Sequence, residues 1–251
     1  MLIERVSTRM AITIIDAMTD GYTRTATRAG AMLVAVFAAL SIASAVFAPT
    51  TLGAAGTTEP AVGAWGLVTG VLSFVFAIGT VAAAIVALRT FAAGETERIP
   101  RALARHKIGF ATLNAIVGGI VFGILVAAGT VLFVIPGLFV LVSLYYWAVF
   151  VAVEDDNALE GFRRSYRLTR GNRLRLFGLG VAVVGVGTIA LAAVSVPLAF
   201  FGIAGALLGQ IAAAAVTVYT LATTVSAYDQ LRGLEALEMA ESRETTPGAP
   251  A

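Results

Sequence analysis

Residues 154–177 read EDDNALEGFRRSYRLTRGNRLRLF, and this charged stretch separates two long segments that contain no Asp, Glu, Lys or Arg. The two segments are residues 108–153 and 176–228, and a third segment, residues 29–88, contains only Glu59 as a charge. Each segment is long enough for two apolar helices of about 20 residues, the length that crosses a hydrocarbon core of about 30 Å. The pattern predicts an all-α, polytopic membrane protein whose six transmembrane helices form three hairpins, with amphipathic helices at the cytoplasmic side.

The composition supports this class. The chain has 251 residues, of which 59% are apolar and 13% are charged, too few polar side chains to cover a soluble globule. Cysteine is absent, which excludes disulfides, thiolate nucleophiles and Cys-ligated metals. His106 is the one histidine. We expect no metal and no cofactor.

The basic residues indicate the orientation. All 17 Lys and Arg lie in the N-terminal segment, in the two loops between the hairpins or in the C-terminal tail. The positive-inside rule then predicts a multi-pass protein of the cell membrane with both termini in the cytoplasm. The expected domains are a cytoplasmic amphipathic segment over residues 1–28, a transmembrane domain over 29–230 and a cytoplasmic tail over 231–251 that is disordered at its end.

Local signals set the expected boundaries of the spans. Pro and Gly place the three outer reversals at residues 49–62, at Pro136-Gly137 and within residues 197–205. The spans beside the middle reversal are short, so we expect the fourth helix to continue beyond Val153. Residues 108–119 then overhang, which requires either a tilt of the third span or a bend at Gly118-Gly119.

The N-terminal segment has two interpretations. Its apolar residues recur at helical spacing over residues 2–18, which predicts a helix lying on the inner leaflet. A cleaved secretory signal competes with this reading, because Ala43-Ser44-Ala45 resembles a cleavage site. The acids Asp16 and Asp20 make a poor signal n-region, which favours the first reading.

The charged stretch itself predicts a capped interfacial helix at about residues 156–171. Asn157 is placed to cap it with Glu160 at the third helical position, and the preceding acids suit a helix N-terminus. We therefore interpret residues 154–156 as capping rather than catalytic groups and His106 as a solvated surface residue. No catalytic residue is expected, and the protein is not expected to be an enzyme.

Two sets of residues are candidates for binding. The helix places Leu159, Phe162, Tyr166 and Thr169 on one face, and the arginines outside this face can contact anionic headgroups or a partner, or simply fix the topology. These arginines are Arg163, Arg164, Arg167, Arg170, Arg173 and Arg175. The polar residues that could line a cavity in the membrane, or alternatively join helices by hydrogen bonds, are Asn114, Tyr145, Tyr146 and Gln210.

A resemblance covers residues 134–180. Pro136-Gly137, Glu154, Arg163-Arg164-Ser165 and the run from Leu168 to Asn172 resemble the membrane domain associated with glycerophosphoryl diester phosphodiesterases and related six-helix membrane families. The resemblance implies the membrane architecture and a lipid or envelope context. The phosphodiesterase chemistry of those enzymes belongs to a separate soluble barrel, for which this chain has no room, so no activity is carried over.

Two functions follow as hypotheses. The first is a non-enzymatic accessory or scaffold protein that contacts anionic lipid of the inner leaflet, a protein partner or a second copy of itself through its arginine-rich helices. The second is an uncoupled transporter or lipid-handling protein, since no ionisable side chain lies within a span to couple transport to protons. A closed bundle favours the first. A cavity lined by Tyr145, Tyr146 or Gln210 favours the second. No nucleic-acid motif accompanies the arginines, so nucleic acid is not an expected partner.

Overall fold

The computed structural model describes residues 13–47, 50–52, 58–60 and 63–244 of the chain. Most of the predicted helix over residues 2–18 and the predicted disorder at the end of the tail lie outside these residues. The described helices are α1 (Ile14–Thr25), α2 (Arg28–Val46), α3 (Gly63–Ala92), α4 (Arg101–Arg105), α5 (Ile108–Leu132), α6 (Val134–Leu144), α7 (Trp147–Val153), α8 (Ala158–Leu168), α9 (Arg173–Leu198) and α10 (Gly202–Glu244).

Five helical segments are long and apolar enough to cross a membrane. They are Arg28–Val46, Gly63–Ala92, Ile108–Leu132, Val134–Val153 and Arg173–Leu237. The fifth segment comprises α9 and α10, which are separated by a 3-10 turn at Ala199–Phe201 and by Gly202 at φ 57°. The two helices then pack side by side, because a Cβ on Gly187 would lie 2.9 Å from Cγ1 of Val216. The helical architecture with several helices of membrane-spanning length is therefore confirmed.

One small sheet lies outside the all-α prediction. Strands β1 (Thr50–Leu52) and β2 (Thr58–Pro60) pair antiparallel within the loop between α2 and α3, with Thr51 opposite Glu59. The loop itself falls where the sequence places it, since α2 ends at Val46 and α3 begins at Gly63.

The packing is tighter at one end of the bundle. We call this the charged end and define it by Arg89, Glu154 and Arg232. Buried residues concentrate in the first half of α2, the last half of α3 and the middle of α10, as with Leu33, Leu88 and Val225. At the opposite end, large apolar side chains face outward, and Val131 and Phe200 are each 87% exposed. An apolar exterior of this kind suits a hydrocarbon environment.

The middle hairpin corrects the expected position of the reversal and disfavours one of the two alternatives for the third span, the bend at Gly118-Gly119. The reversal lies at Phe133, three residues before the predicted Pro136-Gly137 turn, and Pro136 occupies the first turn of α6, where proline loses no hydrogen bond. Helix α5 runs unbroken through Gly118-Gly119. Gly118 serves a contact instead, since a Cβ there would lie 2.2 Å from Cζ3 of Trp147.

The fourth helix ends at Val153 and is interrupted at Tyr145-Tyr146, so the prediction that it continues beyond Val153 is wrong. Side chains of α8 satisfy the backbone groups freed by the interruption. The Tyr146 N–H donates to Ser165 Oγ at 3.1 Å, and the Ser143 carbonyl accepts from the hydroxyls of Ser165 and Thr169. Such compensation is the condition for irregular backbone within an apolar segment.

Helix α1 does not lie alone as a surface helix. Its Ala17 and Gly21 are buried, and a Cβ on Gly21 would lie 2.1 Å from Oγ1 of Thr223 on α10. The guanidinium of Arg24 adds a hydrogen bond to the Phe91 carbonyl and an ion pair with Asp229 at 3.1 Å. The N-terminal helix is thus joined to α3 and α10 at the charged end.

Candidate lipid cavity

A cavity of about 600 Å³ lies between the α5–α6 hairpin and the α9–α10 hairpin. On α9 it extends from Leu176 to Gly185, a stretch of ten residues that spans about 14 Å from first to last along the helix. Gly185 lies near the middle of α9, so the cavity reaches half of the helix length from the charged end. Its volume falls within the range of small-molecule sites, which is about 300–1,000 Å³.

The cavity offers an apolar interior with few free polar groups. The hydroxyls of Thr220, Thr223 and Thr224 on its α10 wall donate to carbonyls four residues earlier on the same helix. The Tyr145 hydroxyl lies 3.2 Å from Thr224 Oγ1, and because that threonine already donates to a carbonyl, we assign Tyr145 as the donor of this bond. These polar groups satisfy one another, so the walls favour an apolar occupant.

The cavity opens sideways rather than toward the charged end alone. Phe177, Val181 and Val184 of α9 line it and are 37%, 57% and 67% exposed, respectively, and Tyr145 on the opposite wall is 41% exposed. Other lining residues face inward, as with Tyr146 at 2% and Val183 at 7% exposure. The gap between the two hairpins therefore connects the buried interior with the apolar exterior of the bundle.

Of the four residues predicted to line a cavity, two do so. Tyr145 and Tyr146 form part of its wall. Gln210 lies on α10 beyond the lining residues. Asn114 is bound elsewhere, since its Oδ1 accepts from the Ala158 N–H at 3.2 Å and its Nδ2 donates to the Phe110 carbonyl. The glycines and valines of α9, which are five of the sixteen lining residues, carry no sequence signal that separates them from lipid-facing residues.

The acids at the charged end join helices rather than cap one. Glu154 forms an ion pair with Arg164 of α8, accepts a hydrogen bond from the Tyr228 hydroxyl and lies 3.0 Å from Nη2 of Arg232, the last two on α10. Asn157 caps α8 as predicted, with its side chain accepting from the Glu160 N–H at 2.9 Å. The capping interpretation therefore holds for Asn157 but not for Glu154.

Asp155 lies at the centre of a second cluster, around Arg89. Arg89 is 5% exposed, and its guanidinium donates to the carbonyls of Ala152, Leu103 and His106 and to Asp155 Oδ1 at 2.8 Å. His106 Nε2 lies 2.9 Å from the other oxygen of Asp155. His106 is exposed, as expected for a surface residue, and it also pairs with Asp155. The cluster ties α3, α4 and α7 together.

Asp156 has a different environment. Burial raises the pKa of its carboxyl, and the nearby Arg164 guanidinium opposes this shift. Arg164 Nε lies 3.2 Å from Asp156 Oδ2, within ion-pair distance but without hydrogen-bond alignment. No group of three or more His, Asp or Glu side chains that could hold a metal occurs in the part of the chain that the structure describes.

The six arginines separate into two groups. Arg163, Arg167, Arg170 and Arg175 are exposed. Arg164 is not on the free surface, because Glu154, Asp156 and Glu160 surround it. Arg173 is enclosed between the rings of Phe139 and Tyr166. The predicted apolar face of α8 is also shifted: Phe162 and Thr169 are buried, but Leu159 and Tyr166 are 64% and 45% exposed.

Comparison with known proteins gives one match. Residues 12–231 match the family model described as a domain of unknown function, DUF7847. No curated protein and no solved structure matches the chain. The match covers all residues that line the cavity and, at the charged end, Arg89 and Glu154 but not Arg232, and it does not test the resemblance to the phosphodiesterase-associated membrane domain.

Proposed function

The chain belongs to the DUF7847 family, whose function is unknown, and we propose that it is a non-enzymatic, multi-pass membrane protein that binds a lipid in the cavity between its two C-terminal hairpins. In this proposal six helices cross the membrane and the charged end lies in the cytoplasm. The observation that carries it is the cavity itself, with Tyr145 and Tyr146 in its wall.

The residues that line the cavity favour an apolar occupant. Because the lining threonines bond to their own helix, a polar or hydrated solute would find few partners, whereas an acyl chain requires none. The lateral gap beside Val181 and Val184 gives access from the hydrocarbon region without passage through water. These features support a lipid-handling protein over a transporter of polar solutes.

The exposed arginines support a contribution from the membrane surface. Arg167, Arg170 and Arg175 lie within one turn of an end of α8 or α9, and Arg163 lies at the middle of α8. Near an anionic leaflet each such cation contributes about 1 kcal/mol of attraction. A scaffold protein would use the same exposed arginines to bind a partner, and we retain this function as the second candidate.

The cavity can be tested with a matched pair of glycine substitutions. Gly185 lines the cavity and Gly119 lies outside it on α5; both are half-buried helical glycines, and a Cβ on either would meet nothing within 4 Å. We expect Gly185→Leu to fill the cavity and Gly119→Leu to leave it open, with both variants folded.

The measurement is labelling by a phospholipid with a photoactivatable acyl chain, in lipid nanodiscs, mapped by mass spectrometry. Wild-type protein and Gly119→Leu should be labelled at the inward-facing Val183 and Tyr146, and Gly185→Leu should lose at least about 90% of this labelling. Labelling confined to outward-facing residues in the wild type, or equal labelling in the two variants, would contradict the proposal.

A further inference from the structure

Arg173 is the first residue of α9 and has an unusual environment. Its guanidinium carbon lies 4.5 Å from the centre of the Phe139 ring and 4.4 Å from that of Tyr166, so aromatic faces of α6 and α8 hold it in place. Cation–π contacts on both faces orient the guanidinium plane and leave its edges for hydrogen bonds.

One of those edges has no partner. Nε and Nη2 of Arg173 are buried, and neither has a hydrogen-bond partner among the residues that the structure describes. These two nitrogens present parallel N–H groups on the same edge of the guanidinium, the arrangement that binds a phosphate or carboxylate through two hydrogen bonds. Buried donors of a cation are costly when left unpaired, which indicates an anion at this edge.

Within the part of the chain that the structure describes, no residue supplies that anion. The nearby acids Glu154, Asp155 and Asp156 are engaged with Arg164, Arg232 and Arg89, and no described acid forms an ion pair with Arg173. The first turn of α9 contains no acid, and the cap residue Asn172 makes no side-chain hydrogen bond there. The anion therefore comes from a ligand.

Arg173 and its ring contact Phe139 each lie close in sequence to residues that line the cavity. On α9, Arg173 precedes the lining residue Leu176 by three positions, about one helical turn. On α6 its contact residue Phe139 precedes the lining residue Leu141 by two positions. A single molecule with an anionic group at Arg173 and an apolar chain in the cavity would pair the free edge of the guanidinium and occupy the apolar space.

We propose that Arg173 binds the phosphate of a membrane phospholipid whose acyl chain occupies the cavity. Phe139 and Tyr166 position the guanidinium, and its free edge donates two hydrogen bonds to the phosphate oxygens. This inference rests on the proposed function and adds a headgroup site and the chemical class of the ligand, a glycerophospholipid rather than a neutral lipid.

Two probes with the same photoactivatable chain test the headgroup, namely phosphatidic acid and diacylglycerol, which lacks the phosphate. In nanodiscs of phosphatidylcholine, wild-type protein should be labelled at Val183 at least about tenfold more by phosphatidic acid, as expected for a charge-assisted pair of hydrogen bonds. Arg173→Gln should abolish this preference. Arg175→Gln, an exposed arginine two residues away, should retain it.

A second readout separates this inference from the proposed function. Modification of Arg173 by phenylglyoxal, mapped by mass spectrometry, should fall when phosphatidic acid is added and not when diacylglycerol or inorganic phosphate is added. Cavity labelling without this protection overturns the headgroup site and leaves the proposed function intact. Protection of Arg173 without cavity labelling supports the headgroup site and overturns the proposed function.

Two further outcomes overturn the inference. An equal loss of preference in Arg173→Gln and Arg175→Gln would show that only surface charge attracts the lipid. Protection by inorganic phosphate alone would show a site for a free anion. Where Arg173→Gln fails to fold, Arg173→Lys keeps the cation between the rings and loses the two-donor edge, and an unchanged preference in that variant overturns the proposal.

Discussion

Arg89 shows how a single residue can hold the charged end together. It is a buried cation whose guanidinium donates four hydrogen bonds, to three carbonyls and to Asp155, on segments up to 66 residues away. Removal of one partner of a buried, hydrogen-bonded ion pair costs about 3–5 kcal/mol, because the other charge and the freed carbonyls lose their partners.

We therefore expect Arg89→Gln to lower the free energy of unfolding by about 3 kcal/mol, measured by SDS titration in mixed micelles. Arg101→Gln is the control, since Arg101 is an exposed arginine of α4 beside the same cluster, and we expect a change of less than about 0.5 kcal/mol. Equal effects of the two substitutions would refute a special role for Arg89.

At the residue scale, local spacing predicts contacts between residues that are close in sequence. It misses contacts between residues that are far apart in sequence. The Asn157 cap follows from a three-residue interval, which the sequence displays directly. Arg89 instead follows an apolar span and resembles a topology marker, and its burial depends on the carbonyls of Ala152 and His106, on other segments. The same holds for Arg173, whose aromatic neighbours lie 34 and 7 positions earlier in the sequence (Phe139 and Tyr166).

Among the helices, the lengths of the apolar runs predict where the chain reverses but not where a helix breaks. The interruption at Tyr145-Tyr146 is stable because Ser165 and Thr169 satisfy its backbone groups from 19 to 26 residues away. Nothing in the local sequence VSLYYWAV marks a break. The hydroxyl residues Ser165 and Thr169 of the charged stretch therefore have a structural role in the neighbouring helix.

The contact between α5 and α7 gives a prediction at this scale. A Cβ on Gly118 would lie 2.2 Å from the Trp147 ring, whereas one on the adjacent Gly119 would meet nothing within 4 Å. We expect Gly118→Ala to displace the ring and lower the stability by about 1–3 kcal/mol, as overpacking does in other cores.

Trp147 reports on this contact directly. In a Trp65→Phe background it is the sole tryptophan, and it is 6% exposed. Gly118→Ala should increase quenching of its fluorescence by acrylamide, and Gly119→Ala should leave it unchanged. A Gly118→Ala protein with wild-type quenching and stability would show that α5 does not pack against Trp147 in this way.

For the whole molecule, the sequence predicts the number and order of the hairpins but not the angle between them. The cavity lies between the α5–α6 and α9–α10 hairpins. Contacts that no periodicity encodes join its surroundings, among them those of Ser165 on α8 with Ser143 and of Arg173 on α9 with Phe139. The proposed lipid site is thus a property of the assembled helices, although two of its residues, Tyr145 and Tyr146, are recognisable as polar groups in an apolar run.

The six-span topology predicts which loops face the outside of the cell. Because the chain contains no cysteine, single cysteines introduced into these loops can test it. Single cysteines can replace Gly94, Phe133, Gly171 and Phe200, which lie between the long helices, and Met239, which lies on α10 beyond the apolar segment that ends at Leu237. Each can be labelled in intact cells with a membrane-impermeant maleimide. Because α9 and α10 are joined by a turn and pack side by side, we expect Phe133→Cys and Phe200→Cys to be labelled from outside. The other three should react only after lysis, as the positive-inside rule requires for a cytoplasmic charged end. Labelling of Met239→Cys from outside would mean that the 65-residue apolar segment Arg173–Leu237 crosses the membrane only once. Helix α10, which forms one wall of the cavity, would then lie outside the bilayer.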